Sequence, residues 1–201
     1  MVAQEVINEI DRVIKACWKE DIPRDYMEGY LLREDSLKCA LYYHLRQKLD
    51  TLLRENSLRI YAEYYVKELK YRADLAIVHI DENLDYSWLG EAVVEVVAIF
   101  ELKYTGGEDE ATLRWIKNDL WKFKDYMRVP GLKNCQFYFA TIFETECRSL
   151  VWLDTRSTNN WAKGRVTELD SGIMRDEMIF EVHSYNNLNE EMNDEGAVWL
   201  D

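Results

Sequence analysis

The sequence predicts a single α/β domain over 1–201, a mixed central sheet flanked by helices. Two observations carry that expectation. Apolar residues recur at helical spacing in some segments and crowd into β-branched and aromatic runs in others, in the order helix, three strands, helix, strand. The 201 residues are also 48% hydrophobic and 13% aromatic, enough for one packed core.

The first helix is expected from about Gln4 to Trp18, followed by a loop carrying Pro23. A long amphipathic helix then runs through "REDSLKCALYYHLRQKLDTLLREN", where Leu37, Leu41, Leu45, Leu49 and Leu52 mark the inward stripe. "LRIYAEYYV" and "YRADLAIVHI", separated by the polar "KELK", predict an antiparallel pair. "DENLDYSWLG" is a loop leading into a third strand, Ala92 to Tyr104. "TGGEDE" supplies a turn and acids suited to a first helical turn. The next helix has Leu113, Ile116, Leu120, Phe123 and Met127 as its stripe and stops before "VPG". A fourth strand follows at "NCQFYFATIF". Beyond Glu144 the signals weaken: "SLVWLD" reads as a short strand, "NNWAKGRVTEL" as a short helix or loop, and "MIFEVHSY" as a strand. A meander, a crossover helix and a further strand make a mixed sheet.

No apolar stretch approaches the roughly 18 residues that cross a bilayer, and the charged N-terminus has no signal-peptide apolar segment. A cytoplasmic protein with no membrane association is expected. The four cysteines, Cys17, Cys39, Cys135 and Cys147, form no CxxC pair, so buried reduced thiols are expected rather than a zinc site or a disulfide framework. The net charge of −13 argues against a nucleic-acid binder on average. Arg114, Lys117, Lys122, Lys124, Arg128 and Lys133, set against Asp119 and Asp125, nevertheless make a local positive segment. From Glu181 to Asp201 there are six acids and no Lys or Arg.

Side chains two apart on a strand share a face. Glu101 and Lys103 in "IFELKY" therefore sit side by side, and Asp74 in "YRADLAIV" reaches the same site from the neighbouring strand. Two carboxylates are hard ligands for Mg²⁺, and a cation beside them offsets charge that develops on a phosphodiester. Glu34 extends the inward stripe of the long helix, whereas Asp35 is turned about 100° away, so Glu34 is the better fourth member. Glu63, on the first strand, is a supporting acid behind these residues. The three histidines are scattered, which disfavours a histidine-centred mechanism. Trp161, Lys163 and Arg165 read as a core tryptophan with solvated cations around it, ahead of the alternative that they line a substrate groove.

An acid at a helix start, then "RADLAIV", "FELKY" and a helix containing "IKNDLWKF", resembles the PD-(D/E)XK nuclease superfamily over roughly 34–143. The resemblance implies a restriction-endonuclease-like core, with 144–201 as a C-terminal elaboration. It further implies Asp74 as the metal-binding aspartate, Glu101 and Lys103 as the (D/E)XK pair, and Glu34 as the acid of the first core helix; the Leu102 carbonyl is expected to complete the metal site with Asp74 and Glu101. Lys122 matches the basic position on the following helix, and Lys117 joins it as a candidate substrate-binding residue through the local positive charge of that segment. Arg72-Ala73-Asp74 stands where the family name has Pro-Asp. The implied activity is Mg²⁺-dependent cleavage of nucleic acid, DNA ahead of RNA, with Mn²⁺ as a substitute metal. The alternative is an inactive nuclease-fold protein that binds or regulates a partner, and a homodimer stays open. A glycosidase using Asp74 and Glu101 ranks last, because the Lys103 cation lowers a carboxylate pKa where a general acid needs it raised.

Overall fold

The computed structural model describes residues 1–106, 110–146, 150–153 and 161–189, without the side chains of 110–113. The side chain of Leu113, Cys147, residues 107–109 of the "TGGEDE" turn, both ends of the "SLVWLD" stretch and the acids from Glu190 onward lie outside the described residues, and the described 150–153 do not form the short strand expected there.

Helix α1 (Gln4–Met27) leads into α2 (Glu34–Lys48) and the short α3 (Asp50–Glu55). Strands β1 (Leu58–Val66), β2 (Tyr71–Ile80) and β3 (Val93–Thr105) follow, then α4 (Glu110–Tyr126), β4 (Gln136–Glu146), β5 (Val166–Met174) and β6 (Glu177–Ser184). Among the described residues the strands form one six-stranded sheet in chain order. Pairs β1/β2 and β2/β3 are antiparallel, β3/β4 and β4/β5 parallel, and β5/β6 antiparallel. The expected meander and the crossover helix α4 are present, and the mixed sheet follows from them.

Two apolar layers hold the sheet. Ile14, Trp18, Leu37, Leu41, Leu45 and Leu53 of α1–α3 pack against Phe100 and Leu102 of β3 on one face. Ile116, Leu120 and Phe123 of α4 pack against Ile99, Phe137 and Phe139 on the other. A helix therefore covers each face of β3, which is why that strand reads as a nearly continuous apolar run. No helix among the described residues is long and apolar enough to cross a membrane.

Four local expectations are corrected. Helix α1 continues through Pro23 to Met27 instead of ending at Trp18. A proline inside a helix removes a hydrogen bond and crowds the preceding turn. Here Ile22 is fully buried and both Trp18 and Tyr26 stack edge-on against Phe180, so tertiary packing carries the last turns. The long second helix is two helices, broken at Leu49. On α4 the stripe ends on buried Tyr126, with Met127 only half-buried, because Tyr126 holds a buried partner described below. Cys39 is exposed, whereas Cys17 and Cys135 are buried as expected.

The largest departure is β5, whose "VTELDSG" begins inside the stretch read as helix or loop. Polar residues ordinarily mark a surface, yet Thr167, Glu168, Asp170 and Ser171 are all fully buried. Each has a partner from elsewhere in the chain: Asp170 accepts from Thr141, Glu168 from the Trp152 N–H, Thr167 from Asn186, and Ser171 donates to the Thr141 carbonyl. Burying polar groups is tolerated when they are hydrogen-bonded, and none of these partners is close in sequence. Arg165, read as a solvated cation, instead donates to the Cys135 and Leu132 carbonyls and stacks 4.7 Å from the Phe137 ring.

Candidate active site

The charged cluster forms where the pairing of β2 with β3 stops. The ladder ends at Leu75 opposite Phe100, so continuing its register puts Asp74 across from Glu101. In place of a further backbone bond, Asp74 Oδ2 accepts the Leu102 N–H at 2.8 Å. On the other side, Glu63 stands opposite Asp74 in the β1/β2 register but drops out of the ladder, with a left-handed φ of 54°. A non-glycine residue held in that region is strained by about 1–3 kcal/mol, and such strain gathers at functional sites.

Helix α2 brings Glu34. Ser36 Oγ accepts the Leu32 and Arg33 N–H groups and so fixes the turn from which the helix starts. Glu34 Oε2 then lies 3.1 Å from Lys103 Nζ, while Asp35 points to solvent, 84% exposed. One turn on, Lys38 bridges Asp74 Oδ1 at 3.4 Å and Glu63. Glu63 therefore touches the cluster through Lys38.

Helix α4 completes the arrangement. Asp119 binds Lys103 at 2.9 Å and Lys122 at 2.6 Å. Lys122 reaches Glu101 Oε2 at 2.9 Å, and the Tyr126 hydroxyl donates to Glu101 Oε1 at 2.7 Å. A continuous chain of contacts thus runs Glu34–Lys103–Asp119–Lys122–Glu101–Tyr126. Lys117 is exposed on the same helix.

Of the residues singled out from the sequence, Glu34, Asp74, Glu101, Lys103 and Lys122 converge, Glu63 joins them indirectly, and Lys117 stays apart on the surface. Leu102 contributes its N–H to Asp74. Lys38, Asp119 and Tyr126 were missed. Helical spacing held a signal for two of them, since Asp119, Lys122 and Tyr126 stand at i, i+3 and i+7 on one stripe. Lys38 stands one turn beyond Glu34, a position it shares with many solvated lysines.

Burial sets the electrostatics. Glu101 is 1% exposed, and desolvation pushes its carboxyl up to about 7, with the Asp74 charge adding to the rise while Lys122 and Tyr126 oppose it. Burial likewise raises Asp74 against the Leu102 N–H and Lys38, and raises Glu34 against Lys103. Desolvation opposes the charge on Lys103, but Asp119 and Glu34 outweigh it and hold the ammonium above its usual pKa. Lys122 and Lys38 are raised in the same way by their carboxylate partners.

Five carboxylates (Glu34, Glu63, Asp74, Glu101 and Asp119) face three ammonium groups (Lys38, Lys103 and Lys122). Among the described residues no three His, Cys, Asp or Glu side chains are gathered as a ligand group for a metal. Mg²⁺ binds through only one or two carboxylates and keeps its waters, and every donor here is a hard oxygen. Asp74 and Glu101 fit that requirement in kind and number.

A cavity of about 320 Å³ opens over Glu34, Lys103 and Asp119. A larger groove of about 1120 Å³ runs along β1 and the segment 88–96, sharing Glu63 with the cluster but neither Asp74, Glu101 nor Lys103. The smaller cavity is lined by Glu34, Lys103 and Asp119 of the cluster and, like the groove, by neither Asp74 nor Glu101. No protein-family model, no curated protein and no solved structure matches this chain.

Proposed function

We propose that this chain hydrolyses phosphodiester bonds of nucleic acid with Mg²⁺, or Mn²⁺ in its place, as a member of the PD-(D/E)XK superfamily with a restriction-endonuclease-like core over about 34–143. The observation that carries the reading is the meeting of Asp74, Glu101, Lys103 and Glu34 where β2 and β3 stop pairing, from three elements arranged as a meander and a helix.

Asp74, Glu101 and the Leu102 carbonyl would hold the ion, which when bound supplies Lewis acidity and activates water. Lys103 stays an ammonium because Asp119 and Glu34 stabilise its charge, so it acts as a cation toward the phosphate and not as a base. Glu34 and Asp119 hold that cation at the cleft. Lys122 stands between Glu101 and Asp119, and exposed Lys117 is available to the phosphate backbone.

The test is cleavage of end-labelled DNA and RNA oligonucleotides with Mg²⁺, with Mn²⁺ and with chelator. Metal-dependent cleavage by the wild type and none by Asp74→Asn is expected; metal-independent cleavage, or cleavage retained by Asp74→Asn, would sink the assignment. One observation favours a second reading, an inactive module that binds a protein partner: Asp74 and Glu101 are already bridged by Lys38 and Lys122. A calorimetric titration with Mg²⁺ separates the two, since the inactive module takes up no ion.

A further inference from the structure

Trp115 is 61% exposed, an unusual condition for the largest apolar side chain, and it lines the same 320 Å³ cavity as Glu34, Lys103 and Asp119. Helical geometry explains its place. Residues Trp115, Asp119, Lys122 and Tyr126 fall within about 60° of one another around the axis of α4, so one stripe carries the indole at its outer end and the partners of Glu101 at its inner end. Asn118, whose amide can both donate and accept, lines the cavity beside the indole.

We propose that Trp115 is a base-stacking platform, and that the nucleic acid taken by this site is single-stranded: a free strand, an overhang or a frayed end. The proposal rests on the nucleic-acid reading above. A base in a duplex has both faces stacked and offers none to an indole, whereas an unpaired base does. The cavity lies at the lower end of the range of small-molecule sites, about 300–1,000 Å³, room for one nucleotide rather than a base pair.

Charge leads to the same conclusion. Duplex affinity comes mainly from cations on phosphates. This chain carries a net charge of −13, and Lys38, Lys103 and Lys122 are each held by carboxylates within the cluster. Stacking on an aromatic ring needs no excess of positive charge, so it adds affinity that the carboxylate-paired lysines of the cluster do not supply.

The same helix provides an internal control. Trp121 is 53% exposed, but it is turned about 120° from the stripe, and Lys124 Nζ lies over its ring at 4.6 Å. One indole faces the cleft; the other is covered by a cation and faces away.

The experiment measures fluorescence anisotropy of a labelled 12-nucleotide single strand and of the matching duplex in Ca²⁺, and cleavage of both in Mg²⁺. The proteins are the wild type, Trp115→Phe, Trp115→Leu and Trp121→Leu. Expected are tighter binding of the single strand, a loss of about 5- to 150-fold in Trp115→Leu, near-complete retention in Trp115→Phe, and no change in Trp121→Leu. Phenylalanine and leucine both shrink the side chain but only phenylalanine keeps a π-face, so the Phe/Leu contrast separates stacking from apolar contact. Cleavage by the wild type with no effect of Trp115→Leu overturns the platform and leaves the nuclease standing. Preference for duplex overturns the substrate class. A wild type that neither binds nor cleaves any strand overturns both, as does self-association that is lost only in Trp115→Leu, which makes the indole a protein contact.

Discussion

Asp74 Oδ2 accepts the backbone N–H of Leu102 at 2.8 Å, so a side chain takes the place of a β-ladder bond one residue beyond Glu101. The substitution ends the β2/β3 ladder and holds the two carboxylates at the opening it leaves.

Asp74→Asn keeps an oxygen acceptor for Leu102 and removes a buried charge. Because burial raises the Asp74 pKa, the neutral amide is expected to leave the melting temperature unchanged or higher. Cleavage is expected to fall by a factor of hundreds or more. Thermal denaturation beside single-turnover kinetics checks both; loss of stability together with activity would mean a structural role only.

Glu101 makes folding depend on pH in the metal-free protein. Its folded pKa, about 7, lies above the ordinary 4.5, so the folded state binds the proton more tightly than the unfolded chain. This contribution is fully present below about 4.5 and is lost as pH rises to about 7, a cost on the order of 3 kcal/mol. Glu101→Gln is expected to remove that slope, and Mg²⁺ to restore stability near neutral pH in the wild type alone. Denaturant titrations at several pH values read the difference; parallel profiles for the two proteins would refute it.

Lys103→Met removes the cation and keeps most of the side-chain length. Mg²⁺ affinity is expected to hold or rise, because an ammonium repels the ion, while cleavage falls by about 10²–10³. Wild-type turnover in this variant would reduce Lys103 to an ion-pair partner of Glu34 and Asp119.

Lys117 and Lys122 are expected to behave differently although both are basic residues of α4. Lys117→Gln should weaken binding slightly and lower the salt slope by about one contact, with no change in stability. Lys122→Gln should also destabilise the fold, since it leaves buried Glu101 with one partner fewer. Identical behaviour of the two in salt titrations and melts would contradict the pairing.

Far from the cleft, Asp11 and Lys15 form a fully buried ion pair at 2.8 Å, and Tyr138 and Asn186 also donate to Asp11. Asp11→Ala leaves Lys15 buried without its charge partner and is expected to cost about 3–5 kcal/mol. Adding Lys15→Met should recover a large part of that loss. An additive double mutant in urea would show that the two side chains are not coupled.

Periodicity was sufficient for the meander, the crossover helix and the Ile116, Leu120 and Phe123 stripe of α4, because each element buries one face in a repeating pattern that is local in the chain. It was also sufficient to single out Glu34 over Asp35 and to put Glu101 and Lys103 on one strand face. What needed the tertiary structure is everything whose partner is remote. β5 reads as loop until Thr141, Trp152 and Asn186 are seen to hydrogen-bond its buried polar side chains. α1 passes through Pro23 because Phe180, more than 150 residues away, packs against its last turns. Asp119, Lys38 and Tyr126 look like ordinary helix residues until the chain brings them to Lys103, Asp74 and Glu101. Local propensity is written in neighbouring residues, whereas satisfaction of a buried charge depends on which distant group folds against it.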